Sequence, residues 1–271
     1  MAKKEIENLI NKNWGVFEIA LDKLYSWKIG DLNVWCRKGT GEIQIAHQYS
    51  DSTVDNQELI EPPEDISWSR WALKKDKIEI QLSPQLPDRP VVVKPESSFR
   101  IIIGAQAKIY IRVPLWLRIN LSTKPSEKLL EIPAVVLSNT WFGTFFEGEL
   151  CYWISTGARR QIEPDANRPY LAICPIQLIN NAEEELLVEK ICLRVANLSL
   201  FSDGVQLWSD ETNVFYKGGN GISQVKASGV PPKEARSAKL ISSPRNPKKK
   251  SLAMKTFASI RELPGLGVPT N

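Results

Sequence analysis

Apolar and polar side chains alternate along residues 105–121. Every odd-numbered position in this run is apolar, from Ala105 to Leu121, whereas the even-numbered positions between them are mostly polar or amphipathic. A period of two places alternate side chains on opposite faces of an extended strand, whereas neighbours on a helix face lie three and four positions apart. The pattern therefore predicts antiparallel sheet with one face on a core and the other toward water.

The alternating run is longer than an ordinary strand. Its seventeen residues would span roughly 56 Å at ~3.3 Å each, and Pro114 interrupts the run near its middle. Strands that bend and pass from one sheet to another are a device of β-sandwiches. We therefore expect one half of the run in one sheet and the other half in a second sheet.

Shorter strand patterns recur along the rest of the chain. Residues 32–36 and 42–47 alternate on either side of a glycine-containing connection and predict a β-hairpin. Further strand patterns follow about every 8–12 residues, which is typical of sandwiches and barrels. The predicted fold class is all-β, antiparallel and sandwich-like, with two packed β-subdomains over residues 1–125 and 126–225.

Two short helices are predicted near the ends of the chain. Residues 3–13 place apolar side chains on one helical face, so a short N-terminal helix is expected there. Residues 226–271 form the third predicted segment, which begins as a proline- and serine-rich linker that need not pack. An amphipathic helix is expected over residues 251–263, with Phe257 and Ile260 on its apolar face.

Charge is distributed unevenly along the chain. The net charge is +4, yet residues 226–271 carry ten basic and two acidic residues, so this segment has +8 and residues 1–225 have −4. The candidate partner-binding residues of this basic tail are Arg245, Lys248, Lys249, Lys250, Phe257 and Ile260. The preferred interpretation is that the tail docks on the acidic body by charge. The alternatives are a separate protein partner, an anionic membrane surface, nucleic acid, or a solvated tail with no partner.

The sequence contains no recognisable export signal, membrane span or metal motif. Residues 1–13 are charged, and no run approaches the ~18–20 apolar residues that a membrane span needs. The four cysteines are far apart along the chain: Cys36, Cys151, Cys174 and Cys192. Zinc sites usually draw paired ligands from one turn. We therefore expect a cytoplasmic protein with reduced, core-facing thiols and with neither a metal nor a cofactor.

An aromatic and acidic patch is the first candidate ligand site. Glu147 and Glu149 are spaced to share one strand face, next to the aromatic cluster that begins at Trp141. Paired carboxylates support glycoside hydrolysis and an exposed indole can stack on a sugar. Acids at this spacing more often reach solvent, and tryptophans more often fill cores. Trp116 is a further candidate because it falls on the polar side of the long run.

A pair of arginines is the second candidate ligand site. Arg159 and Arg160 follow a strand pattern and a glycine directly. Two guanidinium groups beside a turn can hold a phosphate or a carboxylate through forked hydrogen bonds, although a solvated loop is the commoner outcome.

Three stretches carry a family resemblance: WKIGDL at residues 27–32, IYIRVPLWL at residues 109–117 and GELCYWISTGARR at residues 148–160. Together they resemble domain of unknown function 432, an uncharacterised family from archaea and bacteria. The resemblance covers roughly residues 14–217 and leaves out the basic tail. It implies no settled activity. Some members of that family are encoded near small mechanosensitive channels, and this association implies a regulatory or binding role.

The leading functional hypothesis is a non-catalytic binding or regulatory β-protein. The sequence has a single histidine, His47, and lacks the Gly-x-Ser-x-Gly elbow, so no nucleophile–base pair is evident. One alternative is a carbohydrate-binding or glycan-active protein that uses the aromatic and carboxylate patch. The other is a membrane-surface or nucleic-acid adaptor that acts through the basic tail.

Overall fold

The computed structural model describes residues 13–49, 61–73, 77–162, 165, 167–219, 222–247 and 252–257. The first strands in chain order are β1 (Gly15–Ile19), β2 (Leu24–Ile29), β3 (Leu32–Gly39), β4 (Glu42–Tyr49), β5 (Ser69–Ala72), β6 (Ile78–Gln85), β7 (Val91–Pro95), β8 (Phe99–Ile101), β9 (Gln106–Pro114), β10 (Trp116–Leu121) and β11 (Lys124–Pro133). The others are β12 (Ser138–Phe142), β13 (Glu149–Ala158), β14 (Leu171–Asn180), β15 (Leu186–Val188), β16 (Ile191–Leu193), β17 (Leu200–Ser202), β18 (Leu207–Ser209), β19 (Thr212–Tyr216), β20 (Ile222–Ala227), β21 (Lys239–Ser242) and β22 (Leu252–Lys255). Short 3-10 helices lie at Val195–Asn197 and Lys233–Ala235.

The all-β, antiparallel-rich prediction is confirmed. The two 3-10 helices are the only helical elements within the described ranges, and neither is long and apolar enough to cross a membrane. The helix predicted over residues 3–13 is not supported, since all of it except Asn13 lies outside the described residues.

The chain divides into two compact units. Unit 1 consists of residues 1–85, 114–135 and 166–170. Unit 2 consists of residues 86–113, 136–165 and 171–271. The sequence-based segments 1–125, 126–225 and 226–271 were each continuous, whereas the chain passes between these units five times.

Unit 1 is a sandwich of two four-stranded antiparallel sheets, ordered β1-β6-β10-β11 and β2-β3-β4-β5. The hairpin predicted over residues 32–47 is confirmed as β3 and β4. Both sheets contribute to one buried core, in which Leu32 and Val34 of β3 cluster with Ile80 and Leu117 of the other sheet. Burial of alternate side chains therefore explains both the sheets and their packing.

Unit 2 contains a four-stranded sheet, β12-β13-β7-β16, and a larger sheet ordered β21-β17-β18-β14-β19-β20-β22, with β9 also on β14. Strands β8 and β15 form a separate pair. Among the strand pairings of the described residues, three are parallel, namely β7–β13, β14–β18 and β14–β19. Parallel neighbours need a long connection between them. The segment between β7 and β13 includes a passage through unit 1, which explains one departure from the predicted antiparallel pattern.

The long alternating run is divided between two sheets, as predicted, and these sheets belong to different units, although the predicted segment 1–125 had kept the run in one subdomain. Strand β9 ends at Pro114 and pairs with β14 in unit 2, whereas β10 begins at Trp116 and pairs with β6 and β11 in unit 1. The odd-numbered side chains from Ala107 to Ile119 are all buried. One uninterrupted pattern therefore supplies apolar side chains to two cores.

The C-terminal segment is more ordered than its composition predicted. The predicted linker contains β21, the 3-10 helix at Lys233–Ala235 and the end of β20. The amphipathic helix predicted over residues 251–263 is wrong where the chain is described, because β22 (Leu252–Lys255) is a strand that pairs with β20. Backbone pairing to an available sheet edge outweighs a weak local helical pattern.

Candidate functional site

A short hairpin of unit 2 carries the most exposed aromatic side chains of the described residues. Strands β12 and β13 pair in antiparallel register, with Trp141 opposite Leu150 and Phe142 opposite Glu149. The connecting turn is closed by two local hydrogen bonds. The Trp141 Nε1–H donates to the Thr144 carbonyl at 2.9 Å, and the Glu147 amide donates to Thr144 Oγ1 at 3.1 Å.

The turn presents two phenylalanines to solvent. Phe145 is 75% exposed and Phe146 is 92% exposed, and their rings meet edge to face with centroids 5.3 Å apart. Trp141 and Leu150 are also exposed, directly across the hairpin from each other. We call these four residues the aromatic tip. Large apolar side chains clustered on a surface are a common mark of interaction sites.

Gly148 is required for the shape of this turn. A Cβ atom at this position would overlap the Trp141 indole ring and would lie 2.7 Å from the Thr144 carbonyl oxygen.

We expect Gly148→Ala to break the Trp141–Thr144 hydrogen bond and to accelerate amide exchange across residues 143–149 by about tenfold or more, as a loss of ~1.4 kcal/mol predicts. Hydrogen exchange measured by mass spectrometry checks this. Gly39→Ala is the matched control, since its φ lies outside the left-handed region and its Cβ position has no neighbouring atom closer than 3.6 Å. Unchanged exchange in Gly148→Ala would contradict the prediction.

A cluster of thiols, a carboxylate and a guanidinium lies at the base of the hairpin. The cluster, which we call the thiol–carboxylate cluster, consists of Glu149, Cys151, Cys192 and Arg194. The ligand atoms of Glu149, Cys151 and Cys192 all lie within 4.8 Å of one another. The two Sγ atoms are 3.9 Å apart, and the Cys151 thiol lies 3.5 Å from the Glu149 backbone oxygen. Arg194 forms an ion pair with Oε1 of Glu149.

The strands explain how the cluster assembles. Positions 149 and 151 are two apart on β13, and positions 192 and 194 are two apart on and just after β16, so each pair shares a face. Both cysteines are buried beside Val92 and Phe142, whereas the Glu149 side chain remains 39% exposed. The hydrogen bond with Cys151 and burial raise the pKa of Cys192 well above its usual value. The Cys192 thiol is therefore neutral near pH 7.

The predicted carboxylate pair is not formed. Strand β13 begins at Glu149, so Glu147 lies in the turn, where it is exposed, and the prediction that both acids share a strand face is wrong. Glu149 is directed instead to Arg194. Of the predicted patch, Trp141 contributes to the aromatic tip and Glu149 to the thiol–carboxylate cluster.

The other predicted ligand residues are not members of the thiol–carboxylate cluster. Arg159 forms an ion pair with Glu96 at 2.6 Å, and its backbone is paired with Tyr110. Arg160 is exposed. Trp116 is only 7% exposed in unit 1, so its predicted exposure is wrong. Asn120, on the same face of β10, is also buried, which shows that both faces of that strand are covered.

The predicted partner residues of the tail that are described here serve the fold. The Arg245 Nε–H donates to the Leu86 carbonyl at 2.6 Å. Phe257 is buried and meets Tyr216 edge to face at 6.0 Å. Lys248, Lys249, Lys250 and Ile260 lie outside the described residues. The described part of the tail therefore lies against unit 2 through backbone pairing and a buried ring. Charge attraction between the basic tail and the acidic body stays a prediction.

A family model matches residues 13–261. The chain belongs to the family described as protein of unknown function (DUF432). This membership confirms the resemblance found in the sequence, and the match extends beyond residue 217 into the basic tail. No curated protein and no solved structure matches the chain.

The thiol–carboxylate cluster was not predicted from the sequence. The cysteines were expected to be separate core-facing thiols because no two lie close along the chain, and Arg194 was not a candidate residue. The available signal was weak: Glu-x-Cys at residues 149–151 and Cys-x-Arg at residues 192–194 each put two reactive groups on one strand face. Only the pairing of β13 and β16 with β7 brings these two motifs into one sheet.

Proposed function

We propose that this chain is a non-catalytic binding or regulatory protein of the cytoplasm that docks a protein partner through its aromatic tip. The observation that carries the proposal is the near-complete exposure of Phe145 and Phe146 on a turn closed by its own hydrogen bonds. Exposed phenylalanines oppose solubility unless something covers them. The four cysteines form no disulfide, which suits a reducing compartment.

The size of the tip favours insertion into a pocket on a partner. Burying a phenylalanine side chain stabilises a complex by roughly 1.5–3 kcal/mol. Two such rings contribute at most roughly 500 Å², which is less than the ~800 Å² per partner of a standard interface. The two phenylalanine rings alone are therefore too small for flat self-association and suit the role of a central anchor in a concave site.

Charge favours a protein over a membrane as the occupant. Glu147 is exposed in the same turn as the two phenylalanines. A carboxylate beside the rings is repelled by anionic lipid but complements a pocket edged by lysine or arginine. The glycan alternative has less support, because the Trp141 N–H is already bonded within the turn and the two carboxylates are not on one strand face.

Photo-crosslinking followed by reconstitution tests the proposal. A benzoyl-phenylalanine placed at position 145 of the full chain in cells is expected to trap one dominant polypeptide, and the same probe at exposed Ile103 is not. The trapped polypeptide is then purified and its affinity is measured directly. We expect Phe146→Ser to weaken binding by roughly 30-fold, as loss of ~2 kcal/mol at a hot spot predicts, whereas Ile103→Ser leaves it unchanged.

Three results would contradict the proposal. The first is equal affinity of Phe146→Ser and the native chain for the purified polypeptide. The second is binding to anionic vesicles that Phe146→Ser abolishes. The third is a tryptophan fluorescence response to oligosaccharides that depends on Trp141. The second result would identify the aromatic tip as a lipid-binding site, and the third would identify it as a glycan-binding site.

A further inference from the structure

We infer that Glu149, Cys151 and Cys192 form a binding site for a thiophilic divalent cation of the zinc type. The inference is independent of the proposed docking function, because it concerns the thiol–carboxylate cluster rather than the aromatic tip. It rests on the spacing of the ligand atoms, the charge of the cluster and its access to solvent.

The sulfur–sulfur distance fits a shared metal. Two thiolates at about 2.3 Å from a tetrahedral zinc ion lie about 3.8 Å from each other. The Sγ atoms of Cys151 and Cys192 are 3.9 Å apart. A disulfide would require about 2.05 Å between the two sulfurs. The observed separation therefore matches metal ligation without rearrangement of either strand.

Glu149 supplies the third ligand and the route of entry. Its carboxylate lies within 4.8 Å of both sulfurs, compared with about 3.5 Å expected between oxygen and sulfur in a tetrahedral site. A change in the rotamer of this half-exposed side chain closes that gap. Arg194 is ion-paired with Oε1 of the carboxylate, so Oε2 is the oxygen that would bind the metal. Because Glu149 is partly exposed to solvent, a water molecule can occupy the fourth coordination position of the metal, as in an open zinc site.

The charges of the cluster balance around a divalent cation. Two thiolates and one carboxylate carry three negative charges, and Arg194 together with a divalent cation carries three positive charges. Binding therefore replaces two thiol protons with one metal ion and releases both protons to solvent. A buried site with zero net charge avoids the large cost of an unpaired ion.

The surroundings hold the ligands in place. The Cys192 amide donates to the Thr256 carbonyl at 2.9 Å, so the outer edge of β16 is covered by the C-terminal segment. Val92 and Phe142 pack against the two cysteines on the inner side. A fixed backbone and an apolar shell are the features that strengthen metal–thiolate bonds.

Cobalt substitution tests the site on the reduced full chain. We expect one equivalent of Co²⁺ to produce a thiolate-to-cobalt charge-transfer band and the visible bands of tetrahedral coordination, with release of two protons. Zn²⁺ should displace the cobalt and remove the bands. Cys151→Ser or Cys192→Ser should weaken Zn²⁺ binding by more than roughly 100-fold, which exceeds the ~10–100-fold loss typical of outer-shell changes. Cys174→Ser, which changes another buried cysteine of unit 2, is the matched control and should bind normally.

Several outcomes would overturn the site. One is the absence of both bands in the reduced native chain. Another is a band that survives Cys151→Ser and Cys192→Ser. A third is a peroxide-induced Cys151–Cys192 disulfide in a chain that binds no metal when reduced, which would assign the pair to thiol redox chemistry. If either serine variant fails to fold, the site is tested instead by measuring how fast the cysteines of the native chain are alkylated in mild denaturant, with and without Zn²⁺. Zn²⁺ must then protect Cys151 and Cys192, but not Cys174, from modification.

Discussion

Leu117→Ala is expected to lower the free energy of unfolding of unit 1 by about 2–5 kcal/mol. Leu117 is fully buried in β10, where it clusters with apolar side chains from both sheets of the sandwich. Removing three carbon atoms from a packed interior loses transfer free energy and leaves a cavity. Ile109→Ala should cost a similar amount, but in unit 2, because fully buried Ile109 lies in β9.

The two variants should loosen different parts of the molecule. Leu117→Ala is expected to accelerate amide exchange in β6, β10 and β11, whereas Ile109→Ala should do so in β9 and β14. Hydrogen exchange by mass spectrometry separates these patterns. Leu187→Ala, at a half-exposed position of β15, is the control and should change stability by less than about 0.5 kcal/mol. Equal acceleration in both units would show that the alternating run does not divide between two cores.

The alternating run could be predicted because it follows from one physical constraint. Side chains on a strand point alternately to opposite faces, so burial of one face requires an apolar residue at every second position. Pro114 interrupts the strand, but the apolar residues stay at odd-numbered positions on both sides of it. The break at Leu115 and the change of sheet were therefore predictable from the residues alone.

Contacts between distant strands could not be predicted in the same way. The register of β13 and β16 on β7 depends on pairing over long sequence separations, and a single sequence does not reveal that pairing. The cysteine pair was missed for this reason. The described part of the tail was misjudged for a related reason. Proline, serine and lysine indicate a solvated linker, but nearby sheet edges and the partly buried ion pair between Lys108 and Glu234 hold this part in place.

Lys108→Met is expected to destabilise unit 2 by about 2–4 kcal/mol at neutral pH. The Lys108 ammonium lies 2.5 Å from Glu211 and 2.6 Å from Glu234, and the Tyr110 hydroxyl donates to Glu234 at 2.7 Å. These charged side chains retain only 16–25% exposure. Methionine keeps most of the volume but leaves two partly buried carboxylates without their cation. Glu234 lies in the 3-10 helix at Lys233–Ala235, so the variant should also release that part of the C-terminal segment.

The effect of Lys108→Met should depend on pH at both ends of the range. Burial favours the neutral form of Glu234, but hydrogen bonds from Lys108 and Tyr110 outweigh it and hold its pKa below the usual 4.5. The stability from this contact is therefore present above pH 4.5 and is lost as pH falls through the lowered pKa. Burial also favours the neutral amine, but the bonds to Glu211 and Glu234 raise the pKa of Lys108 above 10.5. That contribution is present below pH 10.5 and is lost as pH rises through the raised pKa.

Urea unfolding across pH measures this difference directly. The gap in free energy of unfolding between the native chain and Lys108→Met should be widest between these limits and should close toward both extremes. Lys233→Met makes the same substitution at an exposed position of the same 3-10 helix and should change stability by less than about 0.5 kcal/mol. A gap that stays constant across the whole range would show that packing of the lysine stem, rather than its charge, holds the C-terminal segment on the sheet.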